Sequence, residues 1–434
     1  MSKPKILFIT APIRSHLIPS FYIANLLSAN YAVVYAVEDD ILEELVQSQG
    51  FETTNYSKYK VETDEKRKTL TEFVLDSFNI TSFKNQNVMF KKLIDDVSPS
   101  VIVMDIFRGS NFYSLHHFLS DFKVFFFSPM VSTYRVEGFL TVAGKNWDKE
   151  DINKPRFLKS PRQYFFHKLN AYKKNKILKT CTSEFRRNLS SKSTFTPLFE
   201  HQIEFVLAPL EFEYAPEVKR VNQVYLGLST SKKRVDTELD ARFEAKFSNI
   251  IKKREAGEKI IYCSFGTFYK GSNVPILNFY KNLIDAVKEI PNIQVICSIN
   301  DIIVQTLEYK REIPTNIHFF SRTPQLKVLE NTDIFINHGG FGSVKESIEY
   351  SVPMLVYPLD MTYDMYGNSL KVVHHKIGIA GNLKSEQPNH LKENILAMLT
   401  DNSYKKNIVR MNKAISQNYD FVKQRALLQD LITN

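Results

Sequence analysis

The stretch IFINHGGFGS, residues 334–343, decides the fold. Its apolar start predicts a buried strand, and the residues that follow its three glycines, up to Tyr350, have the pattern of a helix. A strand that turns directly into a helix is the unit from which doubly wound α/β sheets are built. Such a turn also presents free helix N–H groups to an anion, for example a diphosphate, although three glycines equally fit a tight turn that needs positive φ.

Short apolar runs of the same kind alternate with amphipathic stretches on both sides of this turn. A helix is predicted at 16–29, directly after the first run. The alternation predicts an α/β protein with two doubly wound parallel-sheet domains, whose strands end at a cleft where such sheets bind ligands. The predicted strands are 5–11, 32–37, 101–104, 123–127, 260–265, 293–298, 317–320, 334–337 and 354–357.

Length and composition agree with two globular domains. A chain of 434 residues exceeds one ordinary core, and 43% apolar with 24% charged residues argues against a disordered or fibrous protein. We predict a first domain over 1–228, a linker over 229–258, a second domain over 259–415 and a last helix over 416–434. The start of the chain has neither a cleavage site nor an apolar run of membrane-spanning length, so we expect a cytoplasmic protein. Three widely spaced cysteines predict neither a disulfide framework nor a zinc site.

The formal net charge of +10 is concentrated in one segment. Between Asp151 and Lys192, twelve Lys or Arg stand against two acids and are interleaved with aromatic residues. Three interpretations stay open: a solvated helical face whose aromatic side packs on the core, a lid over an acceptor site, or peripheral contact of segment 154–192 with a membrane. Nucleic acid is not expected as a partner, because no nucleic-acid-binding motif accompanies the charge.

Two polar residues beside the glycine turn favour a ligand there. His338 can donate to a phosphate oxygen, and Glu346, one turn into the helix, can accept both hydroxyls of a ribose. Over residues 320–380 the chain strongly resembles the donor-binding signature of the UDP-glycosyltransferases, and the likeness extends more weakly over the whole chain. It rests on these residues: Pro324, Gln325, His338, Gly339, Gly340, Ser343, Glu346, Val352, Pro353, Met354, Pro358, Asp364 and Asn368.

The resemblance is to the members of the family that glycosylate small molecules of macrolide and flavonoid type. It implies the GT-B fold. In this fold two Rossmann-like domains face each other and the second holds the nucleotide sugar. The last helix, 416–434, is implied to pack back on the first domain. The implied donor contacts are Gln325 and Glu346 to the ribose, His338, Ser343 and Thr267 to the diphosphate, Asp364 to the sugar hydroxyls, and Ser264, Arg322, Gly339, Gly340, Gly342, Met365 and Asn368 around them.

Three positions depart from the usual pattern of the family. Arg322 stands where an aromatic residue usually stacks on uracil, although a guanidinium plane can also stack on a base. Gly342 replaces an asparagine, and Met365 replaces a glutamine and cannot hydrogen-bond sugar hydroxyls as an amide does. The exact donor sugar therefore stays open, with UDP-glucose as the expected one.

A catalytic pair is expected from the first domain. His16 lies just past the first predicted strand, where loop side chains point into the cleft, and an ordinary pKa of about 6.5 suits removal of a hydroxyl proton. The resemblance matches His16 to the base of the family and Asp105, which ends strand 101–104, to the buried acid that orients it. A structural histidine and a turn or helix-cap aspartate are the alternatives.

These features predict an inverting glycosyltransferase that moves a sugar from a UDP-sugar to a hydroxyl of a small lipophilic acceptor, of phenolic, macrolide, terpenoid or carotenoid type. No metal or other cofactor is expected, because we find no Asp-x-Asp pattern to hold a divalent ion on a diphosphate. A UDP-sugar epimerase or hydrolase of the same fold and a non-catalytic nucleotide-sugar-binding protein are the alternatives. The first domain is rich in Phe, and its candidate acceptor contacts are Phe112, Phe127, Ser128 and Met130.

Overall fold

Two parallel β-sheets, each with helices on both sides, organise the protein. Their strands carry apolar side chains on both faces, because a sheet that is covered on both sides is buried on both sides. In the first strand, for example, residues 6–9 are all 0% exposed. The computed structural model describes residues 3–60, 69–118, 122–146, 160–190, 192–217, 219–230, 239–266, 274–299, 301–310 and 313–434.

The first domain contains nine of the described strands and seven of the described helices. The strands are β1 (Lys5–Ile9), β2 (Ala32–Val37), β3 (Glu52–Asn55), β4 (Val101–Asp105), β5 (Lys123–Ser128), β6 (Leu189–Ser190), β7 (Leu198–Phe199), β8 (Glu204–Val206) and β9 (Gln223–Tyr225). The helices are α1 (Arg14–Leu27), α2 (Asp40–Ser48), α3 (Leu70–Asn79), α4 (Thr81–Val97), α5 (Phe112–Leu115), α6 (Pro161–Thr180) and α7 (Ser183–Arg187). The main sheet has the order β3-β2-β1-β4-β5-β8-β9, and β6 and β7 form a separate antiparallel pair.

The second domain contains a six-stranded sheet. Its strands are β10 (Lys259–Ser264), β11 (Ile293–Ser298), β12 (Ile317–Phe320), β13 (Ile334–Asn337), β14 (Met354–Val356) and β15 (Gly378–Ala380), in the order β12-β11-β10-β13-β14-β15. The remaining described helices are α8 (Phe243–Glu255), α9 (Val274–Val287), α10 (Asp301–Lys310), α11 (Gln325–Leu329), α12 (Phe341–Glu349), α13 (Asp364–His374), α14 (Pro388–Thr400), α15 (Asn402–Asn418) and α16 (Phe421–Thr433).

The predicted fold class, two doubly wound parallel-sheet domains, is confirmed. All nine predicted strands are present, and their ends differ from the prediction by at most two residues. Four strands of the two main sheets were not predicted: β3, β8, β9 and β15. Each has only three or four residues, and three of the four contain a Glu or Gln, so none of them forms the longer apolar run that marks a buried strand.

Two helices near the domain boundaries, α8 and α16, each pack against one of the two domains. Within the predicted linker 229–258, α8 packs Phe243 and Phe247 into the core of the second domain. The last helix, α16, lies on α1 of the first domain, where Tyr22 Oη donates to Gln424 Oε1 at 2.5 Å and Leu428 is fully buried. The chain therefore passes from the second domain back to the first before it ends.

Close polar and backbone contacts join the two domains beside α12 and α13. The buried Lys345 donates through Nζ to the carbonyl oxygen of Leu207 and to Oγ of Ser229, both at 3.0 Å. At Gly367 the backbones approach so closely that a Cβ would lie 1.9 Å from the carbonyl oxygen of Val142. These contacts fix the position of the second domain's helix ends relative to the first domain.

Candidate active site

The ends of β1 and β4 bring His16 and Asp105 together. The two strands are parallel neighbours, so the turn after β1 and the last residue of β4 meet at one edge of the sheet. His16 Nδ1 lies 2.7 Å from Asp105 Oδ2. The same Oδ2 accepts from the N–H of Ala11 at 3.0 Å, and Oδ1 accepts from the N–H of Phe107 at 2.9 Å. Three hydrogen bonds thus hold the Asp105 carboxylate in place.

This arrangement determines how the imidazole can act. With its Nδ1–H donated to a carboxylate, His16 has Nε2 left as the proton acceptor. The ring lies edge-on to Phe107, with centroids 4.6 Å apart, and Asp105 is 0% exposed. A buried carboxylate stabilises the imidazolium that forms when the base takes a proton. Asp105 also caps the turn after β4 through Phe107, so the turn role and the orienting role coexist in one residue.

The glycine turn after β13 is tight at Gly339. Its φ is +78°, and its N–H donates to Asn337 Oδ1 at 2.8 Å. A Cβ at residue 339 would lie 2.7 Å from the carbonyl oxygen of Met365, so the turn and α13 touch through their backbones. The tight-turn interpretation therefore holds for this glycine, because only glycine adopts the conformation and fits the space.

His338 fills a slot between two other glycines. A Cβ at Gly340 would lie 2.4 Å from Nε2 of His338, and a Cβ at Gly266 would lie 2.9 Å from its Cε1. Burial lowers the pKa of His338 to about 4. The imidazole is therefore neutral near pH 7 and can donate a hydrogen bond to an anion without carrying a charge.

Three further predicted donor contacts, Ser264, Gly342 and Ser343, lie around this turn. Ser264 ends β10 next to Asn337 in β13, and it is 5% exposed. Gly342 is exposed, Ser343 is half-buried, and no described side chain caps the start of α12, so the first-turn N–H groups are available to an anion. Thr267 lies outside the described residues.

The predicted ribose ligands form a connected pair. Gln325 Nε2 donates to Glu346 Oε2 at 2.5 Å. Tyr262 Oη donates to Gln325 Oε1 at 3.4 Å and shares a 2.8 Å hydrogen bond with Thr323. Tyr262 and Thr323 were not predicted, and they orient Gln325. The available signal was a tyrosine hydroxyl inside an otherwise apolar strand, which has to find a buried partner.

Asn368, a predicted donor contact, also positions its neighbours. It is 0% exposed. Its Nδ2 donates to the carbonyl oxygen of Gly339 at 2.8 Å and to Asp364 Oδ2 at 3.0 Å. Asn368 thereby ties the glycine turn to the first residue of α13. The half-buried Met365 follows Asp364 on that helix.

Asp364 lies within electrostatic reach of the pair in the first domain. Burial raises the pKa of Asp364; the hydrogen bond from Asn368 opposes this rise most, and the attraction of His16 opposes it to a smaller extent. Asp364 begins α13 and His16 lies in α1, so the two domains face each other at this point.

Arg322 lies in a segment that Asp240 holds in place. Oδ2 of Asp240 accepts hydrogen bonds from the N–H of Ser321 at 3.0 Å and from Arg242 Nη2 at 2.8 Å. The N–H of Asp240 donates to the carbonyl oxygen of Arg322 at 3.0 Å. The paired Arg242 guanidinium holds the pKa of Asp240 well below its usual range. Asp240 was missed because it lies in the irregular stretch predicted to be a linker.

The side chains of all four candidate acceptor contacts are buried. Phe112 is 0% exposed and its ring packs 4.7 Å from that of Phe199, inside the first core. Phe127 and Ser128 are also 0% exposed, and Met130 is 7% exposed within another cluster. The four residues were chosen for apolar or turn character, which also describes core residues.

Comparisons with known proteins find glycosyltransferases. Residues 282–419 match the family described as "Erythromycin biosynthesis protein CIII-like, C-terminal domain". The chain is 30% identical to the uncharacterized UDP-glucosyltransferase YdhE of Bacillus subtilis over 40% of this chain and 42% of that protein. It is 23% identical to the NDP-glycosyltransferase YjiC of Bacillus licheniformis over 82% of this chain and 80% of that protein.

A solved structure extends the likeness over the full length. The glycotransferase of kitacinnamycin superposes with a TM-score of 0.69 at 17% identity, and 100% of each chain is covered. At 17% identity the superposition establishes the shared fold alone. The alignment with YdhE covers 42% of that protein, about two fifths of its length. The chain thus shares the two-domain fold of solved glycosyltransferases, and its residues 282–419 are similar to the erythromycin biosynthesis protein CIII-like family.

Proposed function

We propose that the protein is an inverting glycosyltransferase that moves a sugar from a UDP-sugar to a hydroxyl of a small lipophilic acceptor. The observation that carries the proposal is the pairing of His16 with Asp105 in the first domain, within electrostatic reach of Asp364 in the second. A proton acceptor on one domain opposite a donor site on the other is the arrangement that a direct transfer needs.

The reaction is a single displacement at the anomeric carbon. His16 Nε2 takes the proton of the acceptor hydroxyl, and the oxygen forms a bond to the anomeric carbon from the side opposite the diphosphate. The bond from that carbon to the diphosphate oxygen breaks, and the electron pair leaves with UDP. Asp105 stabilises the imidazolium until its proton passes to solvent or product.

Groups that are already in position stabilise the negative charge of the leaving diphosphate. The uncapped first turn of α12 supplies N–H groups, and the neutral His338 supplies a further donor. Fixed donors of this kind need no reorganisation during the reaction. We therefore propose that transfer proceeds without a metal ion.

The donor sugar and the acceptor class belong to the proposal. UDP-glucose is the expected donor, and Asp364 is the expected ligand of its hydroxyls, whereas Met365 cannot act as an amide would. A phenol, macrolide, terpenoid or carotenoid is the expected acceptor. Such acceptors partition into membranes. We therefore also propose that segment 154–192 makes peripheral contact with a membrane, a role that is separate from the chemistry of sugar transfer. Among the described helices, none is both long and apolar enough to cross a bilayer.

The test is UDP release from a panel of UDP-sugars in EDTA, first alone and then with mixed phenolic and alicyclic alcohols. Acceptor-dependent release is expected, and it should persist in EDTA. Release without any acceptor would instead indicate an epimerase or hydrolase. Binding of UDP without release over the whole panel would indicate a non-catalytic binding protein.

A further inference from the structure

Helices α3 and α6 of the first domain form an exposed aromatic surface. They pack together through Phe73 and Phe166, whose ring centroids are 5.3 Å apart. On the outer side Phe78 and Tyr172 touch, with centroids 5.1 Å apart. The surface, called here the α3–α6 surface, consists of four side chains that are 46–50% exposed: Phe78, Tyr164, Phe165 and Tyr172.

The aromatic residues of α6 share one side of the helix with a lysine. At about 100° per residue, Tyr164, Phe165, Lys168 and Tyr172 fall within an arc of about 100°. The residues that pack into the protein lie beyond this arc: Leu169, which is 8% exposed, falls about 40° past Phe165, and Phe166, which contacts Phe73, falls about 100° past it. The exposed rings are therefore not the packing face of the helix. Four large rings left in water at one place indicate a surface that something else covers.

The charge around these rings is positive. Helix α6 carries six basic residues and no acid. One of the six, Lys173, is paired with Asp76 of α3 at 2.6 Å. Lys168 Nζ lies 5.3 Å from the centroid of the Tyr164 ring, so cation and ring form one unit. Two copies of this surface would repel each other, and an anionic partner would be attracted.

We infer that the α3–α6 surface binds the face of an anionic lipid bilayer. Tyrosine and phenylalanine rings insert at the level of the headgroups, while lysines reach the phosphates. The inference rests on the proposed function in one respect, since a lipophilic acceptor dissolved in the bilayer explains why a transferase would dock there. Binding itself needs neither donor nor acceptor.

The test is co-sedimentation of the full chain with vesicles of phosphatidylglycerol and phosphatidylcholine, and with vesicles of phosphatidylcholine alone. We expect partition onto the anionic vesicles that weakens as salt is raised. Lys179 is exposed on the same arc of α6 as Lys168. The double variant Lys168→Glu with Lys179→Glu should bind at least about 25-fold more weakly, because each basic residue contributes roughly fivefold near an anionic surface. The double variant Tyr164→Gln with Phe165→Gln should bind about tenfold more weakly, because binding also scales with the apolar area that enters the interface.

The matched control is Val422→Ser with Lys423→Glu on α16, which also removes an exposed apolar residue and a charge. It should bind as the wild type does. His16→Ala should also bind fully, which separates this inference from the proposed function. Equal binding to both kinds of vesicle, no binding to anionic ones, or a dimer that the α6 variants dissociate would each overturn the inference.

Discussion

Two strand-to-helix turns supply histidines to this site, and their surroundings are opposite. The turn after β1 leads to His16, which lies 2.7 Å from a buried carboxylate. The turn after β13 carries His338, which lies between glycines, and burial lowers its pKa to about 4. The same residue type is thus paired with a carboxylate in one domain and kept neutral by burial in the other. The partner of each imidazole, more than its place after a strand, determines its chemistry.

The largest expected effect is the loss of the proton acceptor. His16→Ala should lower kcat by about a thousandfold, because a general base of this kind contributes on that scale. UDP affinity should change by less than about twofold, since His16 belongs to the other domain. His338→Gln is the matched variant, and it should chiefly raise the donor KM because glutamine is also a neutral donor. Near-normal turnover of His16→Ala, measured by UDP release, would contradict the assignment of the base.

The next effect tests the carboxylate that distinguishes the two histidines. Asp105→Asn keeps the shape of the side chain and removes its charge, so kcat should fall by about a hundredfold. The midpoint of the kcat/KM profile should also move to lower pH, because the imidazolium loses its partner. A merely structural role would lower the melting temperature and leave that midpoint unchanged, which would refute the orienting role.

A smaller effect is expected at the second turn. Gly340→Ala places a Cβ 2.4 Å from Nε2 of His338, and the overpacking should weaken UDP binding by about tenfold to hundredfold. Gly342→Ala is the control, since no described atom lies within 4 Å of the added Cβ, and its UDP affinity should stay within about twofold. Calorimetric titration of both variants decides the matter. Equal losses of UDP affinity in the two variants would mean that Gly340 is not required to leave space for the His338 ring.

The smallest effect concerns stability and pH. Burial lowers the pKa of His318, His338 and His375 to about 4, below the ordinary value of 6.5 in the unfolded chain. The unfolded state therefore binds protons first, and stability is full above about pH 6.5 and falls toward pH 4, by up to about 1.4 kcal/mol per pH unit for each group. When unfolding by urea is measured between pH 5 and pH 7, the free energy of unfolding of His338→Gln should change less steeply with pH than that of the wild type. An unchanged slope would mean that His338 does not titrate in this way.

Sequence analysis predicted the strands of the sheet centres and the local turns well. Long apolar runs such as β10 and β11 can only be buried, so their position follows from their composition. The four short strands β3, β8, β9 and β15, at or next to the sheet edges, were missed, because segments of only three or four residues also occur in loops. The acceptor contacts stay predictions for a related reason: a Phe such as Phe112 or Phe127 has the same character in a pocket and in a core, and only the packing shows that both are buried.

Residues close in sequence thus identified the donor site, whereas residues far apart completed it. The glycine turn with His338 and Glu346 lies within one short stretch, so its spacing alone indicated a diphosphate and ribose site and, with the resemblance, the family. Only the tertiary structure decided that Asn368 is buried behind Asp364 and that Tyr262 orients Gln325. The physical reason is that burial and hydrogen-bond partners depend on which segments pack together, and the local pattern of a segment does not contain that information.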